Sequence, residues 1–313
     1  MKELLAVLML SLLAVFGVIA DPLKKEQIPA GVKWLLHLDV ENGLQSQIGG
    51  FLGDELGKRL VSPLAELKTA YDIQLDWRQF QSFTAFGSDF DQRADVSGVM
   101  MVRSRQDMPA MLDRLLAKFE ESGGKGRGVL TKTKEDGTAL YVLRKEVFGA
   151  TGKGGVLVLS KSKAKLKEAL DVLDGKGSNM AASTTFSAFP QAPASFFFLA
   201  LADGFNSVQG LPPQARILKS STGGQLVVGE KTGRVFLQLA LSARDGEAAA
   251  QIQQVFQGLL ALATLNQDNN KELARLAQSV KVSTNDTVVN VNIELPVTNV
   301  IAQVEGELKK RAR

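Results

Sequence analysis

The chain of 313 residues contains no cysteine. This absence excludes disulfide bonds, thiolate metal sites, a cysteine nucleophile and lipid attachment to an amino-terminal cysteine. Histidine is nearly absent too, because His37 is the only one, and a single imidazole does not make a histidine-based metal site. His37 lies between Leu36 and Leu38, so we interpret it as a structural or surface residue. We expect neither a metal ion nor a cofactor.

Polar aromatic residues and excess charge are also scarce. The chain has two tryptophans, two tyrosines and a net charge of +4. A nucleic-acid interface combines a stripe of basic residues with interleaved aromatic rings. The local basic runs, residues 161–165 and 309–313, fall at expected helix ends or faces, where solvated lysines are ordinary. We therefore expect no nucleic-acid partner, whereas a weak attraction to anionic lipid or cell-wall polymers stays open.

The longest apolar run lies at the amino terminus. Residues 1–20 have the features of a secretory signal peptide: Lys2 supplies positive charge, residues 4–15 are almost entirely apolar, and residues 18–20 suit a signal peptidase. The apolar core covers roughly a dozen residues, whereas a spanning helix needs about 20. We predict an exported protein, periplasmic or extracellular. If the leader stayed uncut, it would be the chain's contact with the membrane.

Two periodicities alternate along the remaining chain. Residues 234–242 and 287–295 alternate apolar and polar side chains, which predicts strands with one wet face in antiparallel sheets. Residues 108–119 and 252–263 carry apolar side chains at the three-four spacing of a buried helical stripe. The pattern predicts an α+β fold in which mainly antiparallel sheets are packed by helices.

The chain repeats its pattern, which predicts two related units. Residues 21–176 form the first expected α+β unit and residues 195–313 the second. Residues 177–194 are rich in small residues and poor in charge, which is typical of a linker or surface loop. In this alignment, a hairpin turning at 135–137 matches one at 285–286, and the strand-helix piece 155–173 is an addition to the first copy.

Both copies carry an aspartate and an asparagine after their first strand. Asp39 precedes Asn42, and Asp203 precedes Asn206. Two equivalent carboxylates suggest a paired cation site. We favour the alternative that each aspartate caps the following helix, a role worth about 1 kcal/mol that a duplicated fold would repeat.

One pair of motifs is similar to the penicillin-recognising serine hydrolases. Ser160 and Lys163 fit the Ser-x-x-Lys pattern, and residues 231–233 read Lys-Thr-Gly. However, no Ser-Asp-Asn lies between the motifs, and residues 231–233 suit an ordinary hairpin turn. The glycine-rich residues 149–155 also fail the phosphate-loop pattern. Catalysis by Ser160 and Lys163 is thus a disfavoured alternative.

Several segments together resemble a diffuse group of uncharacterised exported bacterial proteins. The resemblance is carried by residues 34–39, 83–87, 140–143, 155–160 and 169–175. It implies a signal peptide followed by a tandem α+β unit of unknown function. It contains no chemically specific motif and therefore implies no catalytic residue.

The sequence therefore favours a protein that is not an enzyme. Our leading hypothesis is an exported protein that binds a partner or ligand, or that serves the envelope structurally. The partner would be a protein, a polymer or an apolar ligand of the cell envelope. A second hypothesis is a periplasmic carrier of an apolar ligand or lipid, held between a curved sheet and its helices. The phenylalanine-rich residues 196–198 are compatible with such a cleft.

Overall fold

The computed structural model describes residues 23–90, 98–121, 129–135, 137–204, 221–265 and 271–311. The chain divides into two compact units between Ser183 and Thr184, a point inside the segment 177–194. Each unit is an antiparallel sheet packed by helices, so the predicted α+β class is confirmed. The predicted leader, residues 1–20, lies outside the described residues. In the part of the chain that is described, no helix has both the length and the apolar character needed to cross a bilayer.

Unit 1 contains a seven-stranded sheet with the order β1-β2-β3-β7-β6-β5-β4, in which every neighbouring pair is antiparallel. Its strands are β1 Trp34–Asp39, β2 Phe80–Gly87, β3 Val99–Ser104, β4 Leu130–Glu135, β5 Thr138–Leu143, β6 Val147–Thr151 and β7 Leu157–Ser160. Its helices are α1 Val40–Gln45, α2 Gln47–Tyr71, α3 Met108–Glu121 and α4 Lys163–Leu173.

One part of the core of unit 1 lies under α4. This helix buries Leu166, Ala169 and Val172, and it packs against β6 and β7. Val158 on β7 is completely buried. The segment before the unit boundary joins the same core, because the buried Met180 donates a backbone hydrogen bond of 2.7 Å to the Ile28 carbonyl.

Unit 2 contains a five-stranded sheet with the order β8-β9-β10-β12-β11, again antiparallel at every pair. Its strands are β8 Phe196–Asp203, β9 Ser221–Lys231, β10 Arg234–Ala243, β11 Val280–Asn285 and β12 Val288–Pro296. Its helices are α5 Gly246–Leu265, α6 Lys271–Ser279 and α7 Val297–Arg311.

The core of unit 2 forms where the first two turns of α5 meet the sheet. Ala249 and Ile252 on α5 pack against Leu241 of β10 and Val289 of β12, and all four residues are completely buried. Elsewhere in the unit, Gln225 of β9 donates a side-chain hydrogen bond of 3.0 Å to the Pro190 carbonyl. The segment 177–194 is mostly exposed, and it is attached to unit 1 through Met180 and to unit 2 through Pro190.

The two units share one strand order. Strands β1, β2, β3, β7 and β6 of unit 1 correspond to β8, β9, β10, β12 and β11 of unit 2. The hairpin β11–β12 therefore matches β6–β7, and the added element of unit 1 is the hairpin β4–β5. Our sequence alignment of the copies was wrong here. The sequence alignment matched the hairpins by their spacing along the chain. In the structure, the equivalent hairpin of each unit is the one that pairs with its third strand, which is β3 in unit 1 and β10 in unit 2.

Candidate binding surfaces

The side chains of Ser160 and Lys163 have different partners. The Ser160 hydroxyl donates a hydrogen bond of 2.9 Å to the Gly98 carbonyl and accepts one of 3.0 Å from the Ser162 backbone N–H. The Lys163 ammonium forms an ion pair of 2.5 Å with Glu135. Ser160 is also buried. In this arrangement Ser160 ties β7 to the residue before β3, and the lysine is directed to the β4–β5 hairpin.

Residues 231–233 form the turn between β9 and β10. Lys231 and Arg234 are paired across the hairpin. Thr232 and Gly233 both have positive φ, at 50° and 72°, which is the backbone of a tight two-residue hairpin turn. The Lys-Thr-Gly sequence is thus accounted for by turn geometry in the structure.

Asp39 caps a helix, as the favoured interpretation of its motif requires. Its carboxylate accepts a hydrogen bond of 2.8 Å from the Asn42 backbone N–H at the start of α1. The second motif is not described in full, because Asn206 lies outside the described residues. No cluster of histidine, aspartate and glutamate suited to a metal ion occurs among the described residues.

His37 is buried in the sheet of unit 1. Its Nδ1 atom lies 2.8 Å from the Thr84 hydroxyl, and the two residues are paired in register across β1 and β2. The imidazole therefore links two neighbouring strands inside the unit.

The larger open feature of unit 1 is a groove along α2, called here the α2 groove. Its volume is about 680 Å³. One wall is formed by α2, and the other by the extended residues that follow this helix. The residues that line it are Asp54, Gly57, Lys58, Val61, Leu64, Gln74, Leu75, Asp76, Trp77 and Arg78. Val61 in this lining is 67% exposed and therefore offers apolar surface to a ligand.

The floor and walls of the α2 groove are held in place by local contacts. The buried Trp77 packs beside Gly57, where an added methyl group would lie at an ordinary contact distance of 3.7 Å from the indole ring. The Arg78 guanidinium lies 4.5 Å above the Trp77 ring and 3.8 Å from the Asp54 carboxylate. Gln106 fixes the second wall, because its side-chain amide exchanges hydrogen bonds of 2.9 and 2.8 Å with the Asp76 backbone.

The lining of the α2 groove suits an amphipathic ligand. Val61, Leu64 and Leu75 offer apolar surface, while the rest of the lining carries both carboxylates and basic groups. A segment of polypeptide presents apolar and charged side chains at this spacing, whereas a purely apolar ligand would leave the charges desolvated. A second, much smaller pocket of about 20 Å³ lies beside Phe86 and Val99.

A second exposed surface lies on the carboxyl-terminal half of α5. Val255, Leu259, Leu262 and Leu265 are 44%, 57%, 59% and 78% exposed. We call these four residues the α5 face. Sequence reasoning placed Val255 and Leu259 in a buried stripe, and this prediction was wrong. Ile252 is completely buried, Phe256 packs against the same core, and Leu260 and Ala263 are half-buried, so Val255 and Leu259 lie on the outer side of the stripe.

A polar cluster joins α3 to the β4–β5 hairpin. Asp113 accepts hydrogen bonds of 2.7 Å from both the Lys132 ammonium and the Tyr141 hydroxyl. The bond from Lys132, followed by that from Tyr141, lowers the pKa of Asp113 despite some desolvation. The bond to Asp113 raises the pKa of Lys132, and burial raises the pKa of Tyr141.

The apolar stripe that the sequence predicts over residues 108–119 lies on α3. Its side chains are only partly buried.

No family model matches the chain, and no curated protein matches it either. Among solved structures, crystal form I of TP0453 aligns with 91% of this chain and 98% of its own, at 10% identity and a TM-score of 0.45. Crystal form IV of TP0453 aligns with 91% of this chain and 97% of its own, at 9% identity and a TM-score of 0.48. With TM-scores below 0.5, these similarities add nothing to the assignment of a function.

Proposed function

We propose that this chain is an exported, non-enzymatic binding protein whose partner occupies the α2 groove. The observation that carries the proposal is the groove itself, with the exposed Val61 above the fixed Trp77 floor. Its volume falls in the range of ligand sites, roughly 300–1,000 Å³. Its mixed lining favours a polypeptide segment of an envelope protein as the partner.

The carrier hypothesis is less well supported by the same groove. A carrier of lipid needs an apolar cavity that shields its ligand from water. The α2 groove has sufficient volume, yet it is open and carries Asp54, Lys58, Asp76 and Arg78 on its walls. Burying an apolar ligand there would desolvate charged groups without giving them partners.

Export is part of the proposal and rests on the leader, residues 1–20. Fractionation of the producing cell, followed by mass measurement of the purified chain, tests it. We expect the protein in the envelope or medium, with a mature chain that begins at Asp21. A cytoplasmic protein that retains Met1 would contradict export.

Site-specific photocross-linking in the producing cell tests the binding site. A photoreactive residue placed at Val61 is expected to capture a discrete protein partner. The matched control places it at Glu66, which is exposed on the same helix but does not line the groove. The substitution Arg78→Glu, which reverses a charge on the groove wall, should weaken the product at position 61.

Three results bear against the proposed site. The first is the same set of products at positions 61 and 66, and the second is no product at position 61. The third is a product at position 61 that Arg78→Glu leaves unchanged. Cross-linking to lipid alone at position 61 would favour the carrier hypothesis instead.

A further inference from the structure

The α5 face differs from an ordinary helix surface in both its exposure and its charge. From Ala248 to Leu265 the helix carries no charged residue. Its four exposed aliphatic residues are followed by another exposed leucine, Leu276, on the adjoining α6. Exposed apolar patches of this kind on a folded domain mark interaction surfaces. The α5 face lies in unit 2 and shares no residue with the α2 groove.

We infer that the α5 face is a self-association surface, on which α5 of a second copy packs across a two-fold axis. In a two-fold contact the same patch meets itself, so any net charge on the patch would repel its counterpart. The α5 face avoids this repulsion because it is uncharged. The core of a homodimer interface is likewise apolar and depleted of charged residues.

The polar flank of α5 distinguishes a second copy from a membrane surface. The polar flank contains three exposed glutamines near the buried Ile252: Gln251, Gln254 and Gln257. An amphipathic helix that lies on anionic lipid carries lysine and arginine at such positions, often with tryptophan or phenylalanine anchors. Glutamines form hydrogen bonds with a protein surface and add no attraction to anionic lipid.

The exposed area agrees with a small dimer interface. The four side chains together expose roughly 300–400 Å² of apolar surface per copy. Two copies would therefore bury about 600–800 Å², and polar flanks add to this. This area is smaller than the roughly 1,200 Å² of the smallest stable interfaces. We therefore expect a weak, reversible dimer rather than a permanent one.

The small residue in the middle of the α5 face fixes where the helices cross. Gly258 lies between Val255 and Leu262, and a side chain added there would meet no atom of its own chain within 4 Å. In an antiparallel pair centred at Gly258 and Leu259, Leu259 of one copy lies over Gly258 of the other. Val255 of one copy then lies beside Leu262 of the other.

Sedimentation velocity of the purified chain from 1 to 100 µM tests the inference. The wild type is expected to shift from monomer to dimer across this range, and Leu259→Lys is expected to remain monomeric throughout. Ala65→Lys is the matched control, because it also places a lysine at an exposed apolar position of a helix, but in unit 1 and outside the α2 groove. This control should dimerise like the wild type, and circular dichroism should show both variants folded.

A charge-swap pair tests the antiparallel register independently. Val255→Lys and Leu262→Glu should each weaken the dimer at least tenfold. The double substitution should recover most of the affinity, because the introduced lysine of one copy faces the introduced glutamate of the other. Failure of this recovery would overturn the two-fold antiparallel arrangement.

Two further results would overturn self-association as a whole. One is a wild type that stays monomeric up to 100 µM. The other is a dimer that Leu259→Lys leaves intact. A monomer that binds vesicles of phosphatidylglycerol, and loses this binding with Leu259→Lys, would assign the α5 face to a membrane instead.

Discussion

Gly229, near the carboxyl end of β9, provides a sharp test of the packing in unit 2. It is paired with Phe196 on β8 and with Phe236 on β10, so it lies between two aromatic residues. A methyl group added at position 229 would lie 2.5 Å from the Ser195 carbonyl oxygen and 2.8 Å from the Cα of Phe196, and it would also clash with the Phe236 ring. Two of these three atoms are backbone atoms, which cannot move aside by a change of rotamer.

The substitution Gly229→Ala therefore opposes two effects. Restricting the unfolded chain by replacing glycine stabilises a compatible site by about 0.4–1 kcal/mol. Overpacking a tight site costs about 1–3 kcal/mol, and blocked backbone places Gly229→Ala at the upper end. We expect a net loss of about 2 kcal/mol, or a fall of roughly 6–8 °C in Tm for a unit of this size.

Gly306→Ala is the matched control within the same unit. Gly306 lies inside α7, and an added methyl group would meet no atom within 4 Å. Alanine should therefore stabilise the helix by about 0.5–1 kcal/mol. Differential scanning calorimetry of the two variants should show Tm changes of opposite sign. If Gly229→Ala were as stable as the wild type, the close packing around β9 would be wrong.

Three more substitutions test the core, the serine and the polar cluster. Ile252→Ala should cost about 2–5 kcal/mol in denaturant unfolding, because it removes a completely buried side chain; a cost below 1 kcal/mol would contradict the packing of α5. Ser160→Ala should cost about 1–2 kcal/mol by leaving two buried backbone groups unpaired, whereas the hydrolase alternative predicts loss of an activity with little change in stability. Asp113→Asn should lower the Tm by about 2 °C at pH 7. Because the folded pKa of Asp113 is lowered, this difference should be complete well above the ordinary aspartate pKa and should shrink as the pH falls through the folded pKa, and a difference that does not change on acidification would refute the mechanism. Because the folded pKa of Lys132 and that of Tyr141 are raised, the cluster's stabilisation should be lost again above about pH 10.

Much of the secondary structure could be predicted from side-chain periodicity alone. Alternation over 234–242 and 287–295 agrees with β10 and β12, which differ from the prediction by a residue or two at their ends. The period of two survives in the fold because one face of each strand packs on the core. The three-four spacing likewise identified α3 and α5 as helices.

Exposure and long-range pairing could not be predicted in the same way. An apolar stripe shows that one side of α5 is apolar, but it does not show which of its residues face the sheet. Ile252 and Phe256 pack on the core, whereas Val255 and Leu259 are exposed. The alignment of the two units failed for a related reason. Hairpin spacing is visible within a short stretch of sequence, whereas the pairing of β3 with β7 joins strands that are far apart along the chain.

The α2 groove also lacked a local signal. Its two walls are close in sequence, but Val61 and Trp77 come together only because the chain reverses after α2. An apolar residue on a long helix is ordinarily a core residue, so periodicity assigns Val61 no special role. Only the geometry of the reversal leaves it beside the groove.

Strand β4 lies at one edge of the sheet of unit 1 and β11 at one edge of the sheet of unit 2, and exposed lysines on both strands oppose aggregation through these edges. Each of the two strands pairs with one neighbour in its unit. Its other edge presents backbone N–H and C=O groups to which a strand of another molecule could hydrogen-bond. On β4, Lys132 and Lys134 are exposed, and on β11, Lys281 is exposed. A second chain adding a strand there would bring like charges together and would desolvate them. The lysines thus oppose amyloid-like growth at these two sheet edges, while association through the α5 face leaves them untouched.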